Sequence, residues 1–188
     1  MAQVEAVERV KLLVALLWAD ARSRNAALEQ MEIRWGAIDF SGSDHPFDVT
    51  DYYQAEMGPS LRRRLVSFSR MIPPETLPEV KLACNRIEEQ LARHGRRRVN
   101  LDAGYLDHSK VVLASMKFAG QKIHLGQGVY ADLMSRYRKG RYRPLEWAFP
   151  DFRDGRYDRD LARIRELYME QRRIRRGGFP TAPCSAGL

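Results

Sequence analysis

The sequence predicts an α+β fold: a ferredoxin-like split βαβ sandwich, extended by an antiparallel β-meander and a C-terminal helix. Three observations predict it. Lys11–Ala19 is a continuous apolar run, as expected of a central strand covered on both faces. Periodicities of 2 and of 3.6 then succeed one another as strand, helix, strand, strand, helix, strand up to Asp102, the order of a split βαβ unit with both helices on one sheet face. Beyond Lys117, short strand-like segments alternate with glycine turns.

The elements follow in order. From Arg22 to Trp35 the apolar residues Leu28, Met31 and Trp35 recur at helical spacing, and Gly36 stops the run. Ile38 to Thr50, with Gly42, Pro46 and several aspartates, reads as a loop ending in a short strand at Phe47–Val49. Asp51–Met57 reads as one helical turn capped by Thr50 or Asp51 and ended by Gly58-Pro59. Leu61–Met71 fits a strand whose start, Arg62-Arg63-Arg64, is solvated.

Pro73-Pro74-Glu75 opens a second helix, because proline's missing donor costs nothing there and an acid complements the helix dipole. Leu77, Val80, Cys84, Ile87 and Leu91 form its stripe, and Gly95 ends it. Arg98–Asp102 is a strand, with Gly104 expected at a turn. The meander comprises Lys122–Leu125, Val129–Arg138 and Tyr142–Trp147, with turns at Gly126-Gln127-Gly128 and Lys139-Gly140-Arg141. In its longest segment Val129, Ala131, Leu133 and Tyr137 are expected on a buried face, with Tyr130, Asp132, Met134, Arg136 and Arg138 opposite. Pro150–Arg153 connects to a helix over Tyr157–Arg173. Residues 1–174 are expected to form one domain and 175–188 a disordered tail.

At 188 residues, such a chain buries roughly 70% of its unfolded surface without staples. Cys84 falls on a helix stripe and Cys184 in the tail, so no bridge is expected and a cytoplasmic location is the simpler reading. Leu12–Ala19 followed by Ala19-Asp20-Ala21 imitates a signal peptide, but Glu5 and Glu8 spoil the positive leader. No run reaches the length of a membrane span. Net charge is +8, unevenly spread: residues 1–94 carry 12 Lys/Arg against 14 Asp/Glu, and residues 95–188 carry 20 against 10. A basic second half favours anionic partners such as phosphates, nucleotides or nucleic acid.

The richest stretch is Val99–Lys117, where polar residues interrupt an apolar strand and Lys110 and Lys117 bracket a second apolar run. Asn100 and Asp102 lie two apart and share a strand face. A buried Asp102 needs a cation, with Lys110 or Arg136 as the expected partner; a structural ion pair and a ligand group are both open readings. Asp51, Tyr52, Tyr53 and Glu56 place two carboxylates and two phenols on one turn, a pair that binds a hard cation or acts as acid and base, or else a capped surface turn. The catalytic candidates are therefore Asp102, Asp51 and Glu56. The ligand-binding candidates are Asn100, Asp102, Tyr105, Lys110, Lys117, Tyr130, Arg136, Arg138, Tyr52 and Tyr53; Lys110, Lys117, Lys122, Arg136 and Arg138 either make a phosphate pocket together or lie scattered over the surface.

His45, His94, His108 and His124 show no zinc-ligand spacing, and no metal is expected. No Gly-x-Ser-x-Gly elbow supports a serine nucleophile, and no feature names a cofactor.

Several motifs together carry a resemblance. They are Phe47–Tyr53 with Glu56-Met57-Gly58, Val99–Leu106, Ser109–Ala114, Gly128–Ala131, and Tyr137–Gly140 leading to Pro144-Leu145, Trp147 and Pro150–Arg153. The chain resembles an uncharacterised prokaryotic family, domain of unknown function 4416, over nearly its whole length apart from the tail. The resemblance implies no established activity. Some members are labelled GTP-binding, but this sequence has no Gly-x-x-x-x-Gly-Lys-Ser/Thr loop. It also departs from the family pattern at Ala103, where proline is expected, and at His108, where no histidine is.

The leading expectation is a protein that binds a phosphorylated small molecule or nucleotide in a basic pocket. The alternatives are an RNA-binding module using the basic second half, and a structural or interaction subunit.

Overall fold

The computed structural model describes residues 3 and 5–177, and within them a mixed α+β fold with one large antiparallel sheet. An inner strand of it is β1 (Val10–Trp18), buried along its whole length as expected of a strand covered on both faces. α1 (Ala21–Trp35) follows, capped by Asp20, whose carboxylate accepts from the Ser23 amide at 2.8 Å. Next come β2 (Ile38–Ser41), β3 (His45–Pro46), α2 (Gln54–Met57), β4 (Arg62–Ile72), α3 (Leu77–Leu91), β5 (Val99–Leu106) and β6 (Lys110–Ser115). The second half adds β7 (Ile123–Gly126), β8 (Val129–Arg138), β9 (Arg141–Pro144), α4 (Pro150–Arg153) and α5 (Asp158–Arg175). The strand order is β2-β4-β1-β5-β6-β8-β7, with β3 on β4 and β9 on β8.

Strand alternation sorts β1 between two cores. Leu12, Val14, Leu16 and Trp18 face α1 and α3, meeting Met31, Cys84 and Ile87. Leu13 and Ala15 face the other way, packing with Phe152, Leu161, Ile164 and Tyr168 from α4 and α5. The sheet is thus covered on both faces around β1. Each buried Leu or Ile side chain contributes about 1.5–3 kcal/mol.

Several expectations need correction. Ile38–Ser41 is not loop but an edge strand paired with β4, and the short strand expected at Phe47–Val49 lies at His45–Pro46 instead. Phe47 belongs to a small apolar cluster with Leu17, Met57 and Leu61. Pro150–Arg153 forms a helical turn rather than a plain connection. Arg175, expected in the tail, ends α5. Cys184 and the rest of that tail from residue 178 lie outside the described residues.

Gly104 is not in a turn but inside β5, opposite Leu113. A Cβ there would sit 2.3 Å from the Val112 carbonyl oxygen, so glycine is demanded by close backbone approach. The alternation expected in β8 also breaks. A register irregularity against β6 at Val111/Val112 leaves Met134 and Ser135 both buried, and Asp132 is buried as well.

Candidate functional site

The site is a gap in the sheet. β5 pairs with β1 from Val99 to Leu106, but with β6 only from Gly104 to Leu106. Past Leu113, β6 continues beside β8 and no longer beside β5. The first half of β5 therefore has no strand on that side, and its backbone groups need other partners. α3 supplies them: the Lys81 ammonium donates to the Leu101 carbonyl at 3.0 Å, and the Leu101 amide donates to the Glu88 carboxylate at 2.7 Å.

A cleft of about 960 Å³ opens here. One bank carries Asn100 and Asp102 of β5, the other Ala114, Ser115, Met116 and Lys117 at the end of β6; α3, the α2 segment and Phe149–Asp151 complete the lining.

Its inner wall is an ion cluster around Arg63. This side chain is 3% exposed and donates to Asp151 at 2.9 Å and to Asp102. Asp151 also accepts from the Tyr157 hydroxyl at 2.9 Å. The guanidinium carbon lies 5.4 Å from the Phe47 ring centroid and 5.8 Å from those of Phe149 and Phe152. Burial disfavours the charge on Arg63, but Asp102 and Asp151 more than offset it and raise its pKa.

A second cluster is centred on Arg97. Its Nη2 donates to Glu56 at 2.6 Å, its Nε to both Glu56 oxygens at 3.0 Å, and its Nη1 to Asn100 Oδ1 at 3.0 Å. This hydrogen bonding, against a smaller opposing effect of burial, holds the Glu56 carboxyl below its ordinary range. Burial pushes the Glu88 carboxyl up, opposed by Lys81 and the Leu101 amide.

At the rim, Lys117 donates to the Tyr52 hydroxyl at 2.7 Å, and that bond lowers the phenol's pKa. The Tyr53 ring stands edge-on to Tyr52 at 4.9 Å, and burial pushes its phenol up. Lys122 donates to Ser115 at 2.9 Å and lies 3.4 Å from Asp132. Three buried polar atoms of cleft-lining residues have no hydrogen-bond partner among the described residues: Asn100 Nδ2, Arg63 Nε and Asp151 Oδ1. Because Arg97 occupies Asn100 Oδ1, the amide is oriented with its donor unspent.

Of the expected site residues, Asn100, Asp102, Tyr52, Tyr53, Glu56 and Lys117 line the cleft together, and Lys122 with them. Tyr105, Lys110, Tyr130, Arg136, Arg138 and Asp51 are not in its lining. Asp102 pairs with Arg63 rather than with Lys110 or Arg136; Lys110 instead reaches Asp107. Asp51 and Glu56 do not act as a pair, since Asp51 accepts from Gln54 while Glu56 is clamped by Arg97. Nor is the lining uniformly basic: Arg63, Lys81, Arg97, Lys117 and Lys122 are matched by Glu56, Glu88, Glu89, Asp102 and Asp151.

The sequence reading missed Arg63, Arg97, Lys81, Glu88 and Asp151. A signal existed for Arg63, which shares strand parity with the buried Leu61 and Leu65 and so points inward. Lys81 and Glu88 likewise sit four residues beyond the buried Leu77 and Cys84 on the apolar stripe. Asp151 gave none, because a four-residue helical turn is too short to show a period.

A family model, domain of unknown function 4416, matches residues 8–168. The chain belongs to this family. The matched span includes every residue of the cleft lining, from Phe47 to Asp151. No curated protein and no solved structure matches the chain. Among the described residues no group of His, Cys, Asp and Glu side chains is arranged to hold a metal ion, and no helix is long and apolar enough to cross a membrane.

Proposed function

We propose that this member of the family binds a phosphorylated small molecule or a nucleotide in the cleft between β5 and β6. One observation carries the reading: the cleft joins Lys117, which has no carboxylate partner among the described residues, to Asn100, a 4% exposed side chain with an unspent donor. Its volume of about 960 Å³ suits a ligand of nucleotide size. The phosphate sits at Lys117 and Lys122, and the remainder lies along Tyr52 and Tyr53 toward Asn100.

Binding is favoured over acid-base catalysis by the state of the carboxylates. Glu56 and Asp102 are each engaged by an arginine, so neither is a free base. The ferredoxin-like reading of the first half is supported by the order β2-β4-β1-β5, in which β2 and β1 flank β4 while α1 and α3 share one face. A cytoplasmic location is supported by the free, buried thiol of Cys84.

The test is a thermal-shift screen against nucleotides and phosphorylated metabolites, with and without magnesium. A ligand at one hundred times its dissociation constant adds about 2.7 kcal/mol. The expected result is a salt-tolerant shift with one small ligand, lost in Lys117→Ala and Asn100→Ala variants whose own unfolding remains cooperative. No shift with any small ligand overturns the proposal.

A further inference from the structure

Three expected phosphate-binding residues that the cleft leaves out, Lys110, Arg136 and Arg138, come together elsewhere. In the sheet register Lys110 stands opposite Arg136, and Arg136 opposite Arg143. Arg138 stands opposite Arg141 one step further along the hairpin. Residues two apart on a strand share a face and opposed residues lie side by side, so these five cations form two rows on one face of β6, β8 and β9.

The hairpin that carries them is tightly defined. Lys139 and Gly140 both have positive φ, 49° and 83°, the signature of a two-residue turn matched to strand twist. Lys139 adds a cation at its tip.

Like charges directly opposed in a sheet destabilise it, so the rows need neutralising from outside. Little comes from within. Lys110 is held by Asp107, and Arg141 lies 3.8 Å from Asp158. Arg136, Arg138 and Arg143 are exposed and have no carboxylate partner among the described residues.

The rows repeat at strand spacing, about 4.8 Å across the sheet and about 6.6 Å along it. They lie on an open face, which suits a chain of repeated negative charges better than a single small anion. No apolar side chain of Tyr137–Pro144 is among the large hydrophobics left exposed, as insertion into a lipid surface would require.

We propose that this face binds the phosphodiester backbone of nucleic acid without reading its sequence. The rows act independently of the cleft, whose lining contains none of them.

The test is fluorescence anisotropy of the full chain with a labelled oligouridine and with a duplex of random sequence, over a series of salt concentrations. With Arg136, Arg138 and Arg143, the three without a carboxylate partner among the described residues, each neutralising one phosphate, the slope of log affinity against log salt is about −2.1 for the single strand and about −2.7 for the duplex. A fourfold rise in salt then weakens single-strand binding about eighteen-fold. Arg136→Gln with Arg143→Gln reduces the single-strand slope by about 1.4, with no loss of thermal stability because a like-charge row has been relieved.

Binding to one or both nucleic acids with these slopes supports the proposal and identifies the preferred form. An unchanged slope in the double variant, absence of binding, competition by a mononucleotide, or binding to phosphatidylserine vesicles in place of nucleic acid each overturns it.

Discussion

Lys81 and Glu88, seven residues apart on α3, hold the carbonyl and the amide of the same residue, Leu101. The helix thereby replaces the strand that β5 lacks beside the cleft. Lys81→Met leaves that carbonyl unsatisfied and is expected to cost about 1–3 kcal/mol in urea unfolding. Glu88→Gln keeps an acceptor for the amide and costs less. Burial raises the Glu88 pKa, so the folded state holds this proton more tightly than the unfolded chain does. Its contribution to stability is present below the ordinary value of 4.5 and declines as pH rises through the raised folded value. Glu88→Gln is expected to flatten that decline; an unaltered pH profile would contradict the assignment.

Arg63 is bound to two carboxylates, with Asp151 fully buried. Arg63→Ala strands both and is expected to destabilise by about 3–5 kcal/mol. The triple variant Arg63→Met, Asp102→Leu, Asp151→Leu removes the whole set and is expected to recover most of that loss. Chemical denaturation of both proteins decides the matter, and a triple variant no more stable than Arg63→Ala would show that more than stranded charge is at stake.

Gly104 lies at the last pairing before β5 and β6 part. A methyl group there would lie 2.3 Å from the Val112 oxygen and 2.5 Å from Leu113 Cδ2. Gly104→Ala must push the β6 backbone away, so a loss of about 1–3 kcal/mol is expected. Amide exchange at Val112 and Leu113 should accelerate more than exchange in β1; uniform acceleration would point to global destabilisation alone.

Asp20 caps α1 and also receives Arg98 at 2.8 Å. Burial is the largest single influence and opposes ionisation, but the Ser23 amide and hydroxyl and Arg98 together outweigh it and bring the carboxyl to about 2. This contribution is full above the ordinary value of 3.8 and lost as pH falls through about 2. Asp20→Ala is expected to cost about 0.5–2 kcal/mol at neutral pH. The gap between variant and parent should close in acid, as thermal unfolding over a pH series will reveal.

Tyr52 of the α2 segment and Lys117 of the β6 bank meet at the rim of the cleft. The ammonium favours the phenolate, which is why the Tyr52 pKa is lowered. Lys117→Ala is expected to return Tyr52 to ordinary tyrosine behaviour, visible as the loss of the earliest-titrating phenol in an ultraviolet titration. If that phenol persists, the contact is absent in solution.

Much of this fold was legible in residue order. β1 declares itself because the seven residues after Lys11, Leu12–Trp18, are all apolar. α3 is equally clear, since an apolar stripe repeats at helical spacing, although Pro73-Pro74 opens a short 3-10 turn, Pro74–Thr76, and the helix itself starts at Leu77. Both signals are local. β2 was missed because an edge strand half exposed on both faces has no alternation to read, and Gly104 was misplaced because glycine marks a turn and a close backbone approach alike.

By itself the sequence determined which residues sit at the cleft's banks: Asn100 and Asp102 by strand parity, and Lys117 by ending an apolar run. Only the tertiary structure decided their partners. Arg63, Arg97, Glu88 and Asp151 arrive from separate elements, and a buried charge is satisfied by whatever lies within hydrogen-bond reach, not by what lies near in sequence. The same holds for the lysines and arginines of the second half, where composition set their number and strand register divided them between a mixed-charge cleft and two open cationic rows.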